Sequence, residues 1–312
     1  MTDADLTTLV NVPERGVGGD ANYRGNWGAS FIEMVLRHLM TQTNVRRVNE
    51  VFSGSGTTID VGARLGIAVD GRDLNPSPRR GIGGWDAAAE NFDRGCQVLL
   101  CHPPYGWAIP YSGHVWGDAP DPRDLSHIPE WGDFIQALNR ILVRHYPTVD
   151  VGGYIGVLVG DVAYRGRLYS MARDMATVGE LVRVIVKAQP NVRSEDTTYR
   201  HARRPFVPIR HETFLLMRRT DAYLQKATWT VSGVIDLRRR EAQTWRDVVY
   251  AALHQLGGSA DLQALYREIE GHAKARANEH WQAQVRKVLQ ISEEFRPVTR
   301  GRWALAGKEA AA

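Results

Sequence analysis

The sequence predicts an α/β fold, a mostly parallel sheet with helices on both faces, followed by a small helical module that closes on a β-ribbon. Three observations predict it. A glycine-rich turn, "FSGSG", stands between a strand-like and a helix-like stretch. Short, almost wholly apolar runs, "CQVLLC" and "GGYIGVLVG", are bounded by Gly or Pro, as strands covered on both faces are. The carboxyl-terminal stretch then changes to a helical period and ends in a Gly-containing hairpin.

In chain order, "ASFIEMVLRHLM" places Phe31, Met34, Val35, Leu36 and Leu39 at helical spacing, with Ser30 as the expected N-cap. "RRVNEVF" reads as a strand, "GSGTT" as a turn, "IDVGARLG" as a helix and "IAVDGRDL" as a second strand, which together make a β-α-β unit. "WGDFIQALNRILVRHY" has the helical period that a crossover between the two apolar strands requires, and "HETFLLMRR" reads as a further strand. Ahead of that strand, "QPNVRSEDTTYRHARRPFVP" reads as a long basic loop near 189–210, and long loops in compact domains are usually functional or disordered.

A charged link, "DLRRREAQ", leads into the second module. There "TWRDVVYAALHQLGG" carries a capping box from Thr244 to Asp247 and a Gly257-Gly258 stop. Two more helices follow, the second with Trp281, Val285 and Leu289 on one face, and "FRPVTRGRWALA" turns at Arg300-Gly301. Three helices and a closing ribbon spell a winged helix. The boundaries drawn from this pattern are a larger domain over 1–235 and a winged-helix module over 243–307.

The chain has 312 residues, 43% of them hydrophobic, enough to bury a core, and a net charge of +4. Nine Arg and Lys between Val182 and Arg219 face only Glu195, Asp196 and Glu212, so the local excess is larger than that of the whole chain and points to a polyanionic partner. The two cysteines, Cys96 and Cys101, fall on one expected strand and should face opposite sides of the sheet, so neither a disulfide nor a metal site is expected. No apolar run approaches the roughly 20 residues of a membrane span, and "MTDADLTTLVNVPERG" lacks the shape of a secretory signal. A cytoplasmic protein with no membrane partner is expected.

Gly54 and Gly56 lie after a strand and before a helix, where a missing side chain permits positive φ and close approach of a ligand to the backbone. Taken alone, such a turn is as consistent with generic nucleotide binding or a merely tight turn. Asp73, at the end of the second strand, can accept from both hydroxyls of a ribose, or can cap the turn formed with Asn75 and Pro76. In "HPPY", Pro103 and Pro104 lack N–H groups and fix φ at a strand's carboxyl end, which leaves carbonyls free to point into a pocket. Tyr105 offers a flat face on which a base could stack, worth roughly 1–3 kcal/mol.

Together these segments resemble the amino-methylating DNA methyltransferases, which use S-adenosylmethionine to modify the exocyclic nitrogen of adenine or cytosine. "EVFSGSGTT" is similar to the family's cofactor motif, "GRDLNP" to its acidic second motif and "HPPY" to its catalytic motif, and the likeness in order covers about residues 20–220. Two positions depart: Glu50-Val51 replace the family's Asp-Pro, and His102 replaces its acidic or amide residue. The resemblance implies a Rossmann-like methyltransferase fold with a mostly parallel central sheet. It implies cofactor contacts from Phe52, Ser53, Gly54, Ser55, Gly56 and Thr57 with Glu50, from Asp73, Leu74 and Asn75, and from Tyr23, Asn26 and Trp27 closing the pocket. Asp86 would contact the adenine amine or start a surface helix.

The catalytic set implied is His102, Pro103, Pro104 and Tyr105. An exocyclic amine is a poor nucleophile because its lone pair is delocalised into the ring. The Pro103 carbonyl and a neutral His102 would accept its protons and favour a pyramidal nitrogen, so activity should fall as pH drops through the His102 pKa. The base must leave the duplex to reach them. Double-stranded DNA is the expected partner, contacted by Arg193, Arg200, Arg203 and Arg204 in the basic loop and by Gln282, Gln284, Arg286, Lys287, Arg300 and Arg302 in the winged helix. A restriction or defence protein would be a further partner, with the chain a monomer or dimer. The rival readings are an RNA methyltransferase acting on guanine N2 and a catalytically silent DNA-binding regulator of the same fold.

Overall fold

The computed structural model describes residues 6–189, 207–221, 227–228 and 244–306. Two compact units result, Met1–Val231 and Ser232–Ala312. Arg193, Arg200, Arg203 and Arg204 lie outside the described residues.

The first unit is built on a seven-stranded sheet. In chain order its strands are β1 (Leu9–Val10), β2 (Arg47–Val51), β3 (Ala68–Arg72), β4 (Cys96–Cys101), β5 (Val149–Val159), β9 (Glu180–Ala188) and β10 (His211–Arg218). Short hairpin or bridging strands β6 (Asp161–Tyr164), β7 (Arg167–Ser170), β8 (Thr177–Val178) and β11 (Ala227–Thr228) stand outside it. The spatial order is β1-β9-β10-β5-β4-β2-β3. All pairings are parallel except those of β10, which runs antiparallel to both neighbours. The expected Rossmann-like, mostly parallel sheet is therefore present.

Helices cover both faces because both faces are apolar. On one, α3 (Trp131–His145) buries Phe134, Leu138, Ile141 and Leu142 against Leu99, Cys101, Ile155 and Val157. On the other, α1 (Ala29–Gln42) packs Phe31, Ile32, Val35 and Leu36 with Val48, Val98, Leu100 and Phe214. The α1 N-cap is Gly28 rather than Ser30, which is already helical. Helix α2 (Thr57–Leu65) runs between left-handed glycines, Gly56 and Gly66. A short helix, α4 (Met171–Asp174), follows β7.

Cys96 and Cys101 do not face opposite sides as a regular strand would place them. Both are buried in the core beneath α3, because the register of β4 against β5 shifts between Cys96 and Val98 and turns Cys96 over. Both are free thiols.

The second unit contains α5 (Trp245–Gln255), β12 (Ser259–Asp261), α6 (Leu262–Ile269), α7 (Ala273–Arg276), α8 (Trp281–Ile291), β13 (Phe295–Thr299) and β14 (Arg302–Leu305). Its strands form an antiparallel sheet in the order β12-β14-β13. Thr244 caps α5 by accepting from the Asp247 N–H, and Gly257 and Gly258 end it at φ 83° and 89°. Val285 and Leu289 of α8 join Val249, Leu253, Leu265 and Ile269 in a separate core. Among the described residues no helix is long and apolar enough to cross a membrane.

Candidate active site

A cleft of about 500 Å³ opens where the loops leave the carboxyl ends of neighbouring parallel strands. Phe52 and Gly54 line it after β2, Asp73 and Leu74 after β3, and His102 and Pro104 after β4; Tyr23 and Gly25 come from the lead-in, and Tyr111, Trp116, Arg123, Asp124 and Leu125 from the segment beyond the paired prolines. A second hollow of about 310 Å³ shares Phe52, Asp73, Leu74, Arg123 and Leu125 with it and adds Arg72, Trp85, Asp86 and Ile141.

The glycine-rich turn is strained at a residue that sequence alone does not mark. Phe52 has φ 61°, in the left-handed region that an aromatic side chain enters at a cost of roughly 1–2 kcal/mol. Gly54 and Gly56 follow at 50° and 73°. The surrounding bonds hold this path: the Ser53 N–H donates to the Arg72 carbonyl at 3.1 Å and the Gly54 N–H to Asp73 Oδ2 at 2.8 Å. A Cβ on Gly54 would stand 3.1 Å from the Tyr23 ring. The Ser55 and Thr57 hydroxyls are buried and bonded to one another, and the Ser53 hydroxyl is buried with no protein partner.

Asp73 fixes the turn and lines the cleft at once. Its Oδ1 accepts from the Asn75 N–H at 2.9 Å, its Oδ2 from Gly54, and each oxygen retains another lone pair for a hydroxyl. Burial raises its pKa, while these backbone donors lower it. Asn75 itself stays out of the cleft, its Oδ1 accepting from the Ser77 N–H. Asp86 lines the second hollow and opens a turn by accepting from Ala88 N–H, so it starts no helix.

Three expected cofactor residues serve beneath the surface. Asn26 donates to the carbonyls of Asp20 and Tyr23 and so braces the lead-in segment, while Tyr23 reaches the cleft. Trp27 is buried and stacks on the His102 ring, with centroids 5.3 Å apart and planes at 23°. Glu50 is fully buried under the turn, accepting from the Thr58 hydroxyl at 2.5 Å. Burial pushes its pKa up to about 8, against the opposing Thr58 bond.

A raised folded pKa means that the contribution of Glu50 to stability is full below about 4.5 and is lost as pH rises toward 8. Glu50→Gln, which keeps the acceptor for Thr58 without a charge, should therefore melt higher than the wild type at pH 9. We expect a difference of about 5 °C, from a few kcal/mol of relieved charge burial, that shrinks toward pH 5. Calorimetric melts across that range check it.

The His102–Tyr105 turn is arranged differently from expectation. His102 and Pro104 line the cleft, whereas Pro103 and Tyr105 are not among the lining residues. Among the described residues no backbone N–H donates to the Pro103 carbonyl. The Tyr105 ring packs where a Cβ on Gly160 would lie 2.4 Å from it, and its hydroxyl is engaged at both ends: it donates to Glu212 Oε1 at 2.6 Å and meets His102 Nε2 at 2.9 Å. Glu212 in turn pairs with Lys187 at 2.7 Å. Tyr105 is thus half-buried and held by its hydroxyl, off the cleft lining. Besides the His102 imidazole, the aromatic rings on the cleft are those of Tyr23, Phe52, Tyr111 and Trp116.

Sequence reasoning missed Tyr111, Trp116, Glu212 and Lys187. The first two stand on a loop locked by Asp124, which accepts from the Ser112 N–H and hydroxyl at 2.7 Å each and from the Ser126 N–H at 2.9 Å. The signal for Glu212 was present: a carboxylate in an otherwise apolar strand, "HETFLLMRR", is a buried charge that needs a partner.

A protruding hairpin, β6–β7, begins directly after Gly160. Its turn, Arg165-Gly166, has φ 48° and 76°; Arg165 lies over the Tyr164 ring and Arg167 over Tyr169, and both tyrosines pack edge-on to Trp107. In the second unit Gln282, Arg286, Lys287, Arg300 and Arg302 are exposed and Gln284 is half-buried. Arg286 also donates to the Tyr266 hydroxyl at 2.8 Å, and Arg302 to Ser259 at 3.2 Å.

No protein-family model and no curated protein matches the chain. Among solved structures it is similar to an amino pentose methyltransferase from Micromonospora echinaspora, at 14% identity and TM-score 0.30 over 52% of this chain and 62% of that one, less than two thirds of its length. It is also similar to the magnesium protoporphyrin IX methyltransferase of Synechocystis PCC 6803, at 10% identity and TM-score 0.32 over 61% and 79% of the two chains. A third likeness is to a methyltransferase from Archaeoglobus fulgidus, at 10% and 0.32 over 63% and 96%. At such scores these likenesses assign neither a substrate nor a reaction. The fold and cleft alone define a Rossmann-like α/β protein with a cleft at the carboxyl ends of its parallel strands.

Proposed function

We propose that the chain is a methyltransferase that uses S-adenosylmethionine to modify the exocyclic amine of adenine (N6) or cytosine (N4) in DNA. The observation that carries this reading is convergence: the strained turn after β2, the acid after β3 and a proton-accepting histidine after β4 line one cleft. The pocket fits the cofactor on its own chemistry. Asp73 has lone pairs for ribose hydroxyls, Leu74 and Leu125 give apolar walls for a base beside Asp86, and the orphaned Ser53 hydroxyl and the bare backbone at Gly54 suit a polar amino-acid tail. When bound, the cofactor supplies a methyl on a sulfonium, whose C–S bond breaks with its electron pair left on sulfur as the N–C bond forms.

The chain's own residues would then do three things. His102, which lines the cleft, accepts from an amine proton and draws the lone pair out of conjugation. The methylated nitrogen carries one proton too many, and the His102 imidazole takes it before releasing it to water. Tyr111 and Trp116, not Tyr105, stack the extruded base. Burial lowers the His102 pKa to about 4, with Glu212 pulling it up and Lys187 pushing it down. The neutral imidazole therefore persists through the physiological range: kcat should be level from pH 6 to 8, as far as His102 governs it, with an acid limb near 4 in single-turnover rates.

DNA as the substrate is supported by the guanidinium-on-tyrosine hairpin beside the catalytic turn and by the exposed basic and amide side chains of α8 and the β13–β14 turn, a unit we read as a winged helix. Transfer of labelled methyl to duplex DNA and to transfer RNA, with cofactor affinity measured alongside, tests the reading. N6-methyladenine or N4-methylcytosine in the DNA is expected. Label confined to RNA would make it an RNA methyltransferase, and tight cofactor binding with no methylated base in either would make it a regulator.

A further inference from the structure

We propose that Glu212 and Lys187 are positioning residues that act through Tyr105 to hold His102 in its Nε2–H tautomer, leaving the Nδ1 lone pair as the acceptor for the substrate amine. This rests on the amino-methyltransferase reading for its purpose, although not for its geometry.

Counting protons along the chain fixes the tautomer. Lys187 Nζ lies 2.7 Å from Glu212 Oε2, and Glu212 is directly opposite Lys187 in the β9–β10 ladder. That ammonium, first among the favourable influences, holds the buried Glu212 carboxyl ionised against its burial. An ionised carboxylate only accepts. The single hydroxyl hydrogen of Tyr105 must then go to Glu212 Oε1, at 2.6 Å. What remains on the phenol oxygen is a lone pair, and 2.9 Å away stands His102 Nε2, which must bring the hydrogen of that contact. A neutral imidazole carries one N–H, so Nδ1 has none. Among the described residues Nδ1 has no hydrogen-bond partner, and His102 lines the cleft.

Without the carboxylate the phenol is free to donate to Nε2. The imidazole hydrogen would then move to Nδ1, and a donor would confront the N–H groups of the substrate. Glu212 is buried and Lys187, Tyr105 and His102 are half-buried, so leaving any one of them unpaired is costly and the arrangement is sharp. Trp27, stacked on the His102 ring, fixes its plane.

Nitrogen-detected NMR of the full chain labelled with ¹⁵N-histidine tests it, with His102 assigned among the ten histidines by loss of its signals in His102→Asn. The wild type should show Nε2 with its hydrogen and a bare, pyridine-like Nδ1. Tyr105→Phe should convert this to a mixture or to the Nδ1–H form and lower kcat about 10-fold or more with cofactor Kd unchanged. A wild-type Nδ1–H tautomer, or a tautomer that Tyr105→Phe does not move, overturns the proposal. The outcomes separate from those of the functional reading: Nε2–H in a chain that methylates no base leaves the proton chain standing and removes the reaction, whereas Nδ1–H in a chain that methylates DNA does the reverse.

Discussion

His102→Ala should lower kcat for methyl transfer by about 10²–10⁴-fold, the range that a positioned proton acceptor contributes, with cofactor Kd changed only a few-fold. The reason lies in what each side of the cleft holds. On the proposed reading the turn after β2 and the acid after β3 would bind the donor through groups that His102 does not touch, whereas His102 closes the β4 side of the cleft beside Pro104. Two further substitutions divide the role of the ring. Asn at 102 can set an oxygen near the place of Nδ1 but cannot reach Tyr105; Gln can reach Tyr105 but carries its acceptor away from the amine. Asn should therefore retain more turnover than Gln. Wild-type kcat in all three variants, with cofactor Kd unchanged, would remove His102 from the chemistry, and single-turnover assays with cofactor titration decide it.

Gly54→Val should weaken cofactor binding by about 100-fold or more. Gly54 holds φ 50°, and a Cβ there stands 3.1 Å from the Tyr23 ring, itself part of the cleft wall. A β-branched residue costs roughly 1–3 kcal/mol at such a φ, and relieving it by rotating the backbone withdraws the N–H that Asp73 accepts. Loss of that bond frees the Asp73 carboxylate that would hold the ribose, so strain and disorder would act on the same ligand. Calorimetric titration measures the affinity. The melting temperature should fall only modestly, because the turn lies at the rim of the sheet, and an unchanged affinity would show that the donor does not lie over this turn.

How much of this was legible in sequence divides along a physical line. The β-α-β unit, the α3 crossover and the helices of the second unit were readable because each is set by its own local period and punctuation: Gly56 and Gly66 bracket α2, and Thr244 with Gly257-Gly258 bracket α5. Ser30 was not the cap expected of it, since Gly28 in extended conformation already begins the helix. Cys96 faces the wrong way for a regular strand because a register shift against β5 is a property of the pair. Phe52, Asp73, His102 and Pro104 reached the cleft because the motifs fix residues at strand ends. Tyr105, Glu50 and Trp27 did not, for a motif gives the type and position of a side chain but not the neighbour that claims it: Glu212 claims the phenol, Thr58 the carboxylate and His102 the indole face.

The sheet also has a temporal implication. β10 is the last of its seven strands in the chain, yet it threads between β5 and β9, which the sheet joins only through it. Every segment that lines the cleft precedes β10, so a growing polypeptide could shape that cleft long before Glu212 emerges to orient the histidine. Ligand capture and turnover would then mature at separate moments of biosynthesis, and a chain halted before β10 would be a binder that cannot yet react.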